Sequence, residues 1–378
     1  GWLTLGLILS ACFAWNRGEA FLQLVNFLPF FLFYGVLATV PELTVDPVGL
    51  LEKLARWLLL TSLPMTGVAV VEFGLKFEAM MPRVQALPLP GWLLNWLYGE
   101  DFGHRAHSIF THPNGLAAYL VIVLGLGLGL VVQGLSIERD KLAGRLKALQ
   151  VIAVVLAAVA VFCTGSRNGV LTVLVLMAIA LYAARRHRWV LFSGLLGAGA
   201  IAFAVLSLGI GGRSLSMALM TGDPRVGVWQ LALEMIQQRP WLGWGFAAMR
   251  LRYEPGSIMG YDIIYHAHNV WLYLASEAGI PVTVAFCAVV GSVYYDGIKT
   301  FLKGSAAVGE SPTMWQRRRA MLLSYLLAFT SCLLFGLFDV TLFDARLNIL
   351  SYGLLAGIYV LTRRQALSQV PATIPAKE

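Results

Sequence analysis

Ten long apolar runs most constrain how this chain of 378 residues can fold. Most of them are long enough, with tilt, to cross the hydrocarbon layer of a membrane as helices. The composition agrees, because 58% of the residues are hydrophobic and only 13% are charged. The sequence therefore predicts an all-α polytopic membrane protein. The predicted spans cover residues 2–15, 21–40, 57–71, 116–135, 148–163, 169–184, 189–208, 270–295, 320–338 and 347–362.

Basic residues indicate which ends of these spans face the cytoplasm. They cluster in alternate loops, which all share one side of the membrane, and positively charged loops normally remain cytoplasmic. The formal net charge of +8 is therefore explained by topology and does not call for a nucleic-acid partner. The basic clusters lie at residues 53–56, 139–147, 185–188, 299–319 and 363–364.

Two long loops on the opposite, outer side are the places where a functional site is expected, because they carry basic residues where positive charge is normally scarce. The first outer loop includes Arg83, His104, Arg105, His107 and His112, and the second includes Arg213, Arg225, Arg239, Arg250 and Arg252. The predicted organisation is a helix bundle over residues 1–208 with its outer loop at 72–114, a large outer loop at 209–268, further spans at 269–364 and a cytoplasmic tail at 365–378.

The second outer loop contains a predicted amphipathic helix that begins near Arg225. Asp223 can accept the free N–H groups of the first turn, and Pro224 suits the first helical position. The helix start and the Arg225 guanidinium together favour a phosphate ligand, with snorkelling of Arg225 to lipid headgroups as the open alternative. An apolar face directed at the membrane interface is expected to contain Val226, Trp229, Leu233 and Ile236.

A short outer turn between two spans carries a second candidate, Arg167. A turn of this length needs its glycines, but it does not need an arginine. We predict that Arg167 binds an anion, with Ser166 and Asn168 completing the hydrogen bonds. An anchor at the membrane interface is the alternative.

His268 and Asn269 stand directly before the apolar run 270–295. Asn269 can cap the helix that follows, and the positive end of that helix disfavours a protonated imidazole. A neutral imidazole can take a proton from a hydroxyl group, so His268 is the predicted general base. Asn269 is also a candidate for binding the substrate, and His266 is a candidate for orienting it. Glu277 is predicted to be a buried, hydrogen-bonded carboxyl.

Metal binding is the alternative for the outer histidines. The sequence contains no His-Glu-x-x-His motif and no Asp-x-Asp pair. The four cysteines lie in apolar runs without metal-ligand spacing. We therefore expect neither a metal nor a cofactor.

The outer motifs, taken in this order, resemble the superfamily of O-antigen ligases and O-antigen polymerases, and they resemble the ligases most. The resemblance covers about residues 109–280 in motifs and the whole chain in hydropathy. The motifs are Phe110-Thr111-His112-Pro113-Asn114-Gly115, Ser166-Arg167-Asn168-Gly169, Arg225-Val226-Gly227-Val228-Trp229, Arg239-Pro240-Trp241-Leu242-Gly243-Trp244-Gly245 and His268-Asn269 followed by Gly279.

The resemblance implies a GT-C-type glycosyltransferase architecture in a bacterial inner membrane, with its active site on the periplasmic face. It implies an O-antigen glycan on undecaprenyl diphosphate as donor, His268 as catalytic base, and Arg167 and Arg225 as ligands of the diphosphate. Transfer would be inverting and metal-independent. Asp344 and Arg346, on the last outer turn, are further candidates for contact with donor or acceptor.

The acceptor distinguishes the closest alternatives. In a ligase it is a hydroxyl of a lipid A-core oligosaccharide, which the basic outer loop favours. In a polymerase it is a second lipid-linked glycan, and a protein O-oligosaccharyltransferase would use a protein. A lipid-linked oligosaccharide flippase or transporter, with Asp339 or Glu277 as its titrating carboxyl, is the alternative from a different class. The clustering of unusual polar groups at one membrane surface favours a transferase.

Overall fold

The computed structural model describes residues 1–39, 44–77, 79–99, 102–134, 141–185, 187–210, 223–306, 309–340 and 344–363. Within these residues the chain is helical, and its extended structure is limited to one isolated bridge between Ile258 and Tyr261. The predicted all-α class is confirmed. The predicted tail 365–378 and Arg213 lie outside the described residues.

The helices follow one another along the chain with short connections. They are α1 (Trp2–Cys12), α2 (Arg17–Gln23), α3 (Leu28–Thr39), α4 (Pro47–Thr61), α5 (Leu63–Leu75), α6 (Met81–Gln85), α7 (Gly91–Tyr98), α8 (Pro113–Gly134), α9 (Lys141–Cys163), α10 (Arg167–Ala183), α11 (Arg188–Leu208), α12 (Arg225–Gln238), α13 (Ala248–Arg252), α14 (Val270–Ala278), α15 (Ile280–Lys303), α16 (Pro312–Phe335) and α17 (Ala345–Thr362), with a 3-10 turn at Leu24–Asn26.

Eight helical segments of the described chain are long and apolar enough to cross a membrane. Each corresponds to one of the ten predicted runs, and the shorter apolar helices α1 and α10 account for the other two. The multi-pass membrane class is therefore confirmed. The eight segments are Arg17–Thr39, Pro47–Leu75, Pro113–Gly134, Gly144–Cys163, Val190–Ser207, Ile280–Lys303, Pro312–Phe335 and Ala345–Thr362.

The centre of the bundle is an antiparallel pair formed by α8 and α16, which are the most buried spans. A Cβ atom at Gly125 would lie 2.7 Å from the Ala328 backbone, and one at Gly129 would lie 2.3 Å from the Cα of Ser324. The two glycines therefore let the helix backbones touch, as small residues do between membrane helices. This register brings the start of α8 beside the end of α16, where Asp339 follows.

The predicted span 270–295 is divided at Gly279, which differs from the sequence expectation of one continuous helix. Gly279 has a φ of 89°, and a Cβ there would lie 2.4 Å from the Trp241 carbonyl oxygen. The chain turns here because the outer segment 240–245 hydrogen-bonds to it, with Gly245 N donating to Glu277 O at 2.8 Å. Asn269 therefore caps the short helix α14, and the long span begins at Ile280.

Helix α12 confirms the predicted helix in the second outer loop, but its apolar face is only partly as predicted. Its buried residues are Val228, Ala232 and Met235, which form one hydrophobic cluster with buried residues of α14. Val226 and Leu233 are about half exposed, at 46% and 48%. The difference arises because apolar residues lie on more than one side of α12, and contact with α14 selects which side is covered.

Two fully buried glutamates hold the outer loops by their backbones. Glu72 accepts hydrogen bonds from His107 N and Ser108 N, at 3.1 and 2.7 Å, and pairs with Lys76 at 2.8 Å. Glu277 accepts from Ala247 N and Met249 N, at 2.7 and 2.9 Å, which confirms its prediction as a buried, hydrogen-bonded carboxyl.

Candidate active site

The connection between α14 and the end of α16 fixes the position of His268. Asn269 accepts hydrogen bonds from Trp271 N and Leu272 N, each at 3.0 Å, so the predicted cap is confirmed. Its side-chain nitrogen donates to Leu337 O at 3.0 Å. His268 itself has a φ of 49°, a left-handed conformation that side chains other than glycine rarely adopt and that concentrates at functional sites.

Asp339 is the nearest charged neighbour of His268. Their closest atoms, His268 Nδ1 and Asp339 Oδ1, are 3.8 Å apart, and Nδ1 is buried without a hydrogen-bond partner in the described part of the chain. Burial raises the pKa of Asp339, but His268, His266 and the Val340 N–H outweigh it and hold that pKa below its ordinary value. An ionised Asp339 favours the proton on Nδ1, which leaves Nε2 as the acceptor nitrogen.

A chain of hydrogen bonds extends from Asp339 to the first outer loop. Asn114 donates to Asp339 Oδ2 at 3.2 Å and accepts from the Arg105 guanidinium at 2.7 Å. Arg105 also donates to Thr164 O at 2.8 Å. The site therefore joins the starts of α8, α10 and α14 to the end of α16.

His266 and Tyr261 enclose His268 from the second outer loop. The His266 ring lies edge-on at 4.6 Å, and its Nδ1 accepts a hydrogen bond from His268 N at 3.3 Å. The Tyr261 ring lies 5.4 Å from His268. Burial, followed by the electrostatic effect of the neighbouring His268, lowers the pKa of His266 to about 4, so His266 is neutral near pH 7.

Arg225 lies close to this group. It is the first residue of α12, and its backbone N–H donates to Asp223 Oδ1 at 3.0 Å. Burial raises the pKa of the nearby Tyr261, and the positive charge of Arg225 opposes that rise. Its charge is one of those acting on both His266 and His112. The predicted phosphate ligand and the predicted base therefore lie in one neighbourhood.

An open cavity of about 580 Å³ lies beside His268, and Asp344 and Arg346 line it together with His266 and Asp339. Arg346 makes two hydrogen bonds to Asp344, at 3.1 and 2.9 Å, and its guanidinium lies 4.0 Å from the centre of the Phe110 ring. Two predicted contact residues thus line the same cavity, and the Arg346 guanidinium is already bound by the Asp344 carboxylate.

Arg167 begins α10 at the same end of the bundle, but it is not among the residues that line the cavity. Its two neighbours serve the protein itself. Ser166 Oγ accepts from Gly169 N at 3.2 Å, and Asn168 donates to Phe335 O at 3.1 Å. These bonds cap α10 and attach it to α16, in place of the substrate contacts expected from the sequence.

Sequence reasoning did not assign Asp339, Asn114, Arg105 or Tyr261 to the site. Asp339 entered only as a titrating carboxyl for transport, and Asn114 only as part of a motif. A usable signal was present, since Asp339 is a lone acid directly after the apolar end of a span. Its pairing with His268 depends on the contact between the start of α14 and the end of α16, where Val270 N donates to Gly336 O at 2.9 Å, and the sequence pattern does not reveal that contact.

A metal ion is a chemical alternative at this place. His266, His268 and Asp339 hold ligand atoms within 4.8 Å of one another. However, His266 Nδ1 already accepts the His268 N–H, and Asp339 at 3.8 Å places an ionised carboxylate beside the His268 ring, where it would stabilise an imidazolium. We therefore interpret the group as a base with its partner.

Residues 152–287 match a family model described as O-antigen ligase. The match supports membership of the O-antigen ligase and polymerase superfamily. The matched region contains Arg167, Arg225, His266 and His268, whereas Asp339 lies beyond it. No curated protein matches the chain significantly. The family match supports a ligase- or polymerase-type function, and the eight candidate spans indicate a multi-pass membrane protein.

Proposed function

We propose that the chain is an inverting glycosyltransferase that moves an O-antigen glycan from undecaprenyl diphosphate to a hydroxyl group of a lipid A-core oligosaccharide. The observation that carries this proposal is the placement of His268 beside an ionised Asp339, at the edge of an open cavity and close to Arg225. These groups supply a base, its orienting partner and a cation for the leaving group.

In the proposed reaction, His268 Nε2 takes the proton of the acceptor hydroxyl. The acceptor oxygen attacks C1 of the donor sugar as the bond between C1 and the diphosphate oxygen breaks. The electron pair of that bond stays on undecaprenyl diphosphate, and the proton on the imidazole passes to solvent. Asp339 stabilises the imidazolium, and attack on the opposite face of C1 inverts its configuration without a covalent intermediate.

Leaving-group stabilisation is assigned to arginines, because a diphosphate is already a good leaving group and needs its charge neutralised. Arg225 is the first candidate, since it lies next to Tyr261 and the histidines. Arg167 would bind the diphosphate from the start of α10. Arg105 is a further candidate, because Asn114 connects it by hydrogen bonds to Asp339. Asp344, Arg346 and His266 would contact donor or acceptor sugar in the cavity.

The periplasmic face of a bacterial inner membrane is the proposed place of reaction. The basic segment before α16 and the site after it lie at opposite ends of the bundle, because α16 is one membrane-length helix between them. If the basic end is cytoplasmic, the site faces outward.

A polymerase and a protein O-oligosaccharyltransferase share this chemistry and differ in acceptor. Transport is less well supported, because its two candidate carboxyls have other partners. Asp339 faces His268 beyond the end of α16, and Glu277 binds backbone N–H groups. Both would have to exchange protons during transport.

The first test is transfer by purified protein carrying His268→Ala, with lipid-linked glycan as donor and lipid A-core as acceptor, in a buffer that contains EDTA. Loss of the base is expected to lower the rate on the order of 10² to 10⁴-fold. His187→Ala, an exposed histidine before α11, is the matched control. Retained transfer by the His268 variant would remove the base assignment, and a strict need for a divalent ion would contradict the metal-free reaction.

A further inference from the structure

Two outer-loop arginines that the proposed reaction does not use are stacked on the same indole ring. The Arg239 guanidinium carbon lies 4.2 Å from the centre of the Trp244 ring, and that of Arg252 lies 3.6 Å from it. The two guanidinium carbons are therefore at most about 8 Å apart, the sum of the two distances. We call Arg239, Arg252 and Trp244 the arginine pair site.

The ring that carries both arginines is fixed in position. The Trp244 indole N–H donates to Met235 O at 2.9 Å, its backbone N–H donates to Ser276 O at 3.1 Å, and the side chain is 9% exposed. Cation–π stacking thus holds both guanidiniums on a buried support, which lowers the entropy lost when they bind a ligand.

Neither guanidinium has an ion pair or a hydrogen bond within the described residues, and both side chains are exposed. Arginines at the opposite end of the bundle differ, since Arg317 and Arg318 are both paired with carboxylates. The arginine pair site therefore keeps its hydrogen-bond donors available on the side of the membrane where cations are scarce.

The site lies at the far end of α12 from Arg225. That helix has 14 residues, which corresponds to about 20 Å. The neighbouring Trp241 is 75% exposed, as is typical of an aromatic residue at the level of lipid headgroups. A ligand here is therefore distinct from the donor diphosphate at Arg225 and lies near the membrane surface.

We propose that the arginine pair site binds a phosphate group of the membrane-anchored acceptor and holds that acceptor while its distant hydroxyl reaches His268. Two guanidinium groups that are no more than about 8 Å apart can both bind one phosphate, with several charge-assisted hydrogen bonds. The identity of the ligand as the acceptor rests on the proposed function, whereas phosphate binding itself does not.

Binding is measured first, with the full chain in nanodiscs and two probes: phosphorylated lipid A-core and the same glycolipid after removal of its phosphates. Wild-type protein is expected to bind the phosphorylated probe about 10-fold tighter or more. The double variant Arg239→Gln, Arg252→Gln should bind both probes alike. Arg185→Gln is the matched control, because Arg185 also stacks on an aromatic ring, at 4.4 Å from the centre of Tyr182, at the other end of the bundle.

Equal binding of the phosphorylated probe by wild type and double variant would overturn the site. If the double variant is not recovered folded, Arg239→Lys with Arg252→Lys replaces it, and unchanged affinity of that variant would overturn the site equally, since lysine lacks the fork. Phosphatidylglycerol is the competitor. If it displaces the probe as well as phosphorylated lipid A-core does, the site serves bulk phospholipid and the acceptor assignment is wrong.

Transfer kinetics then separate this inference from the proposed function. The double variant is expected to raise the acceptor KM about 10-fold with kcat retained, and only for the phosphorylated acceptor. An unchanged KM would contradict acceptor binding here. Phosphate-dependent binding by a wild-type protein that transfers glycan to no acceptor would leave the arginine pair site standing and contradict the proposed function alone.

Discussion

At the basic end of the bundle Arg317 and Arg318 pair with carboxylates, whereas at the site end Arg225 lies near the histidines beside an open cavity. Arg317 bonds Asp46 and Glu52 at 3.1 and 2.8 Å and thereby joins α16 to α4. At the site end Asp339 also joins helices, but His268 Nδ1 beside it has no hydrogen-bond partner in the described part of the chain.

The difference shows how one kind of residue serves two purposes. Closed pairs between exposed charges contribute little free energy and mainly fix which helices are neighbours. An incomplete network stores unused hydrogen-bonding capacity, which a substrate can complete. Variants at the two ends should therefore have opposite effects, with activity lost at the site end and stability lost at the basic end.

Asp339→Asn should give the largest effect of the following changes. The amide has one acceptor oxygen, so it can keep the hydrogen bond from Val340 or the one from Asn114 but not both. It also carries no charge to stabilise an imidazolium, so kcat is expected to fall on the order of 10²-fold with a smaller change in KM. The pH profile of kcat should also shift. Asp296→Asn, which changes an exposed carboxylate on α15, is the control. If Asp339→Asn raised KM and left kcat unchanged, Asp339 would have a purely structural role.

Arg225→Lys is expected to raise the donor KM roughly 10-fold, because a point charge cannot reproduce a two-pronged contact with diphosphate. Steady-state kinetics with varied donor measure this. Arg83→Lys changes another exposed outer arginine, on the short helix α6, and should leave the KM unchanged. Equal kinetics for the Arg225 variant and the parent would remove the diphosphate assignment.

Arg317→Gln should have the opposite signature. The loss of contacts with Asp46 and Glu52 is expected to cost about 1 kcal/mol, since Arg317 is partly exposed, and to lower the Tm by a few degrees. Transfer kinetics at a permissive temperature should match the parent. A clear loss of kcat in this variant would erase the contrast between the two ends.

The smallest expected effect is the pH dependence that His266 gives to stability. Its pKa falls from 6.5 to about 4 on folding, so the unfolded chain binds the proton first as the pH drops. The contribution of neutral His266 to the free energy of unfolding is complete above pH 6.5 and is lost as the pH falls towards 4. Between pH 7 and pH 6 this free energy changes by less than about 1 kcal/mol. Thermal unfolding of His266→Gln should depend less on pH over this range, and an identical dependence would show that His266 does not titrate as described.

The sequence was sufficient for the class of fold because hydrophobic length is a local property. All ten apolar runs became helices, and the caps at Asn269 and the start of α12 near Asp223 could be predicted from adjacent residues. The break at Gly279 could not, since it depends on the distant segment 240–245 packing against that glycine.

The site residues also differ in whether adjacent residues or long-range packing determine their position. His268, Asn269 and Arg225 have local signatures, and the structure places them in one neighbourhood, although their roles remain predictions. Asp339 is 71 positions from His268 along the chain and meets it because Asn269 and Val270 hydrogen-bond to the backbone at the end of α16. Such a long-range pairing has no signature in a single sequence.

The attachment of both outer loops through backbone N–H groups has an evolutionary consequence. Glu72 and Glu277 hold His107, Ser108, Ala247 and Met249 by groups that every residue except proline possesses. Exposed side chains elsewhere on these loops can therefore be exchanged without detaching the loops from the bundle, whereas the four attached residues are themselves buried. A scaffold of this kind can acquire new ligand specificities by surface substitution while the groups around His268 stay in place.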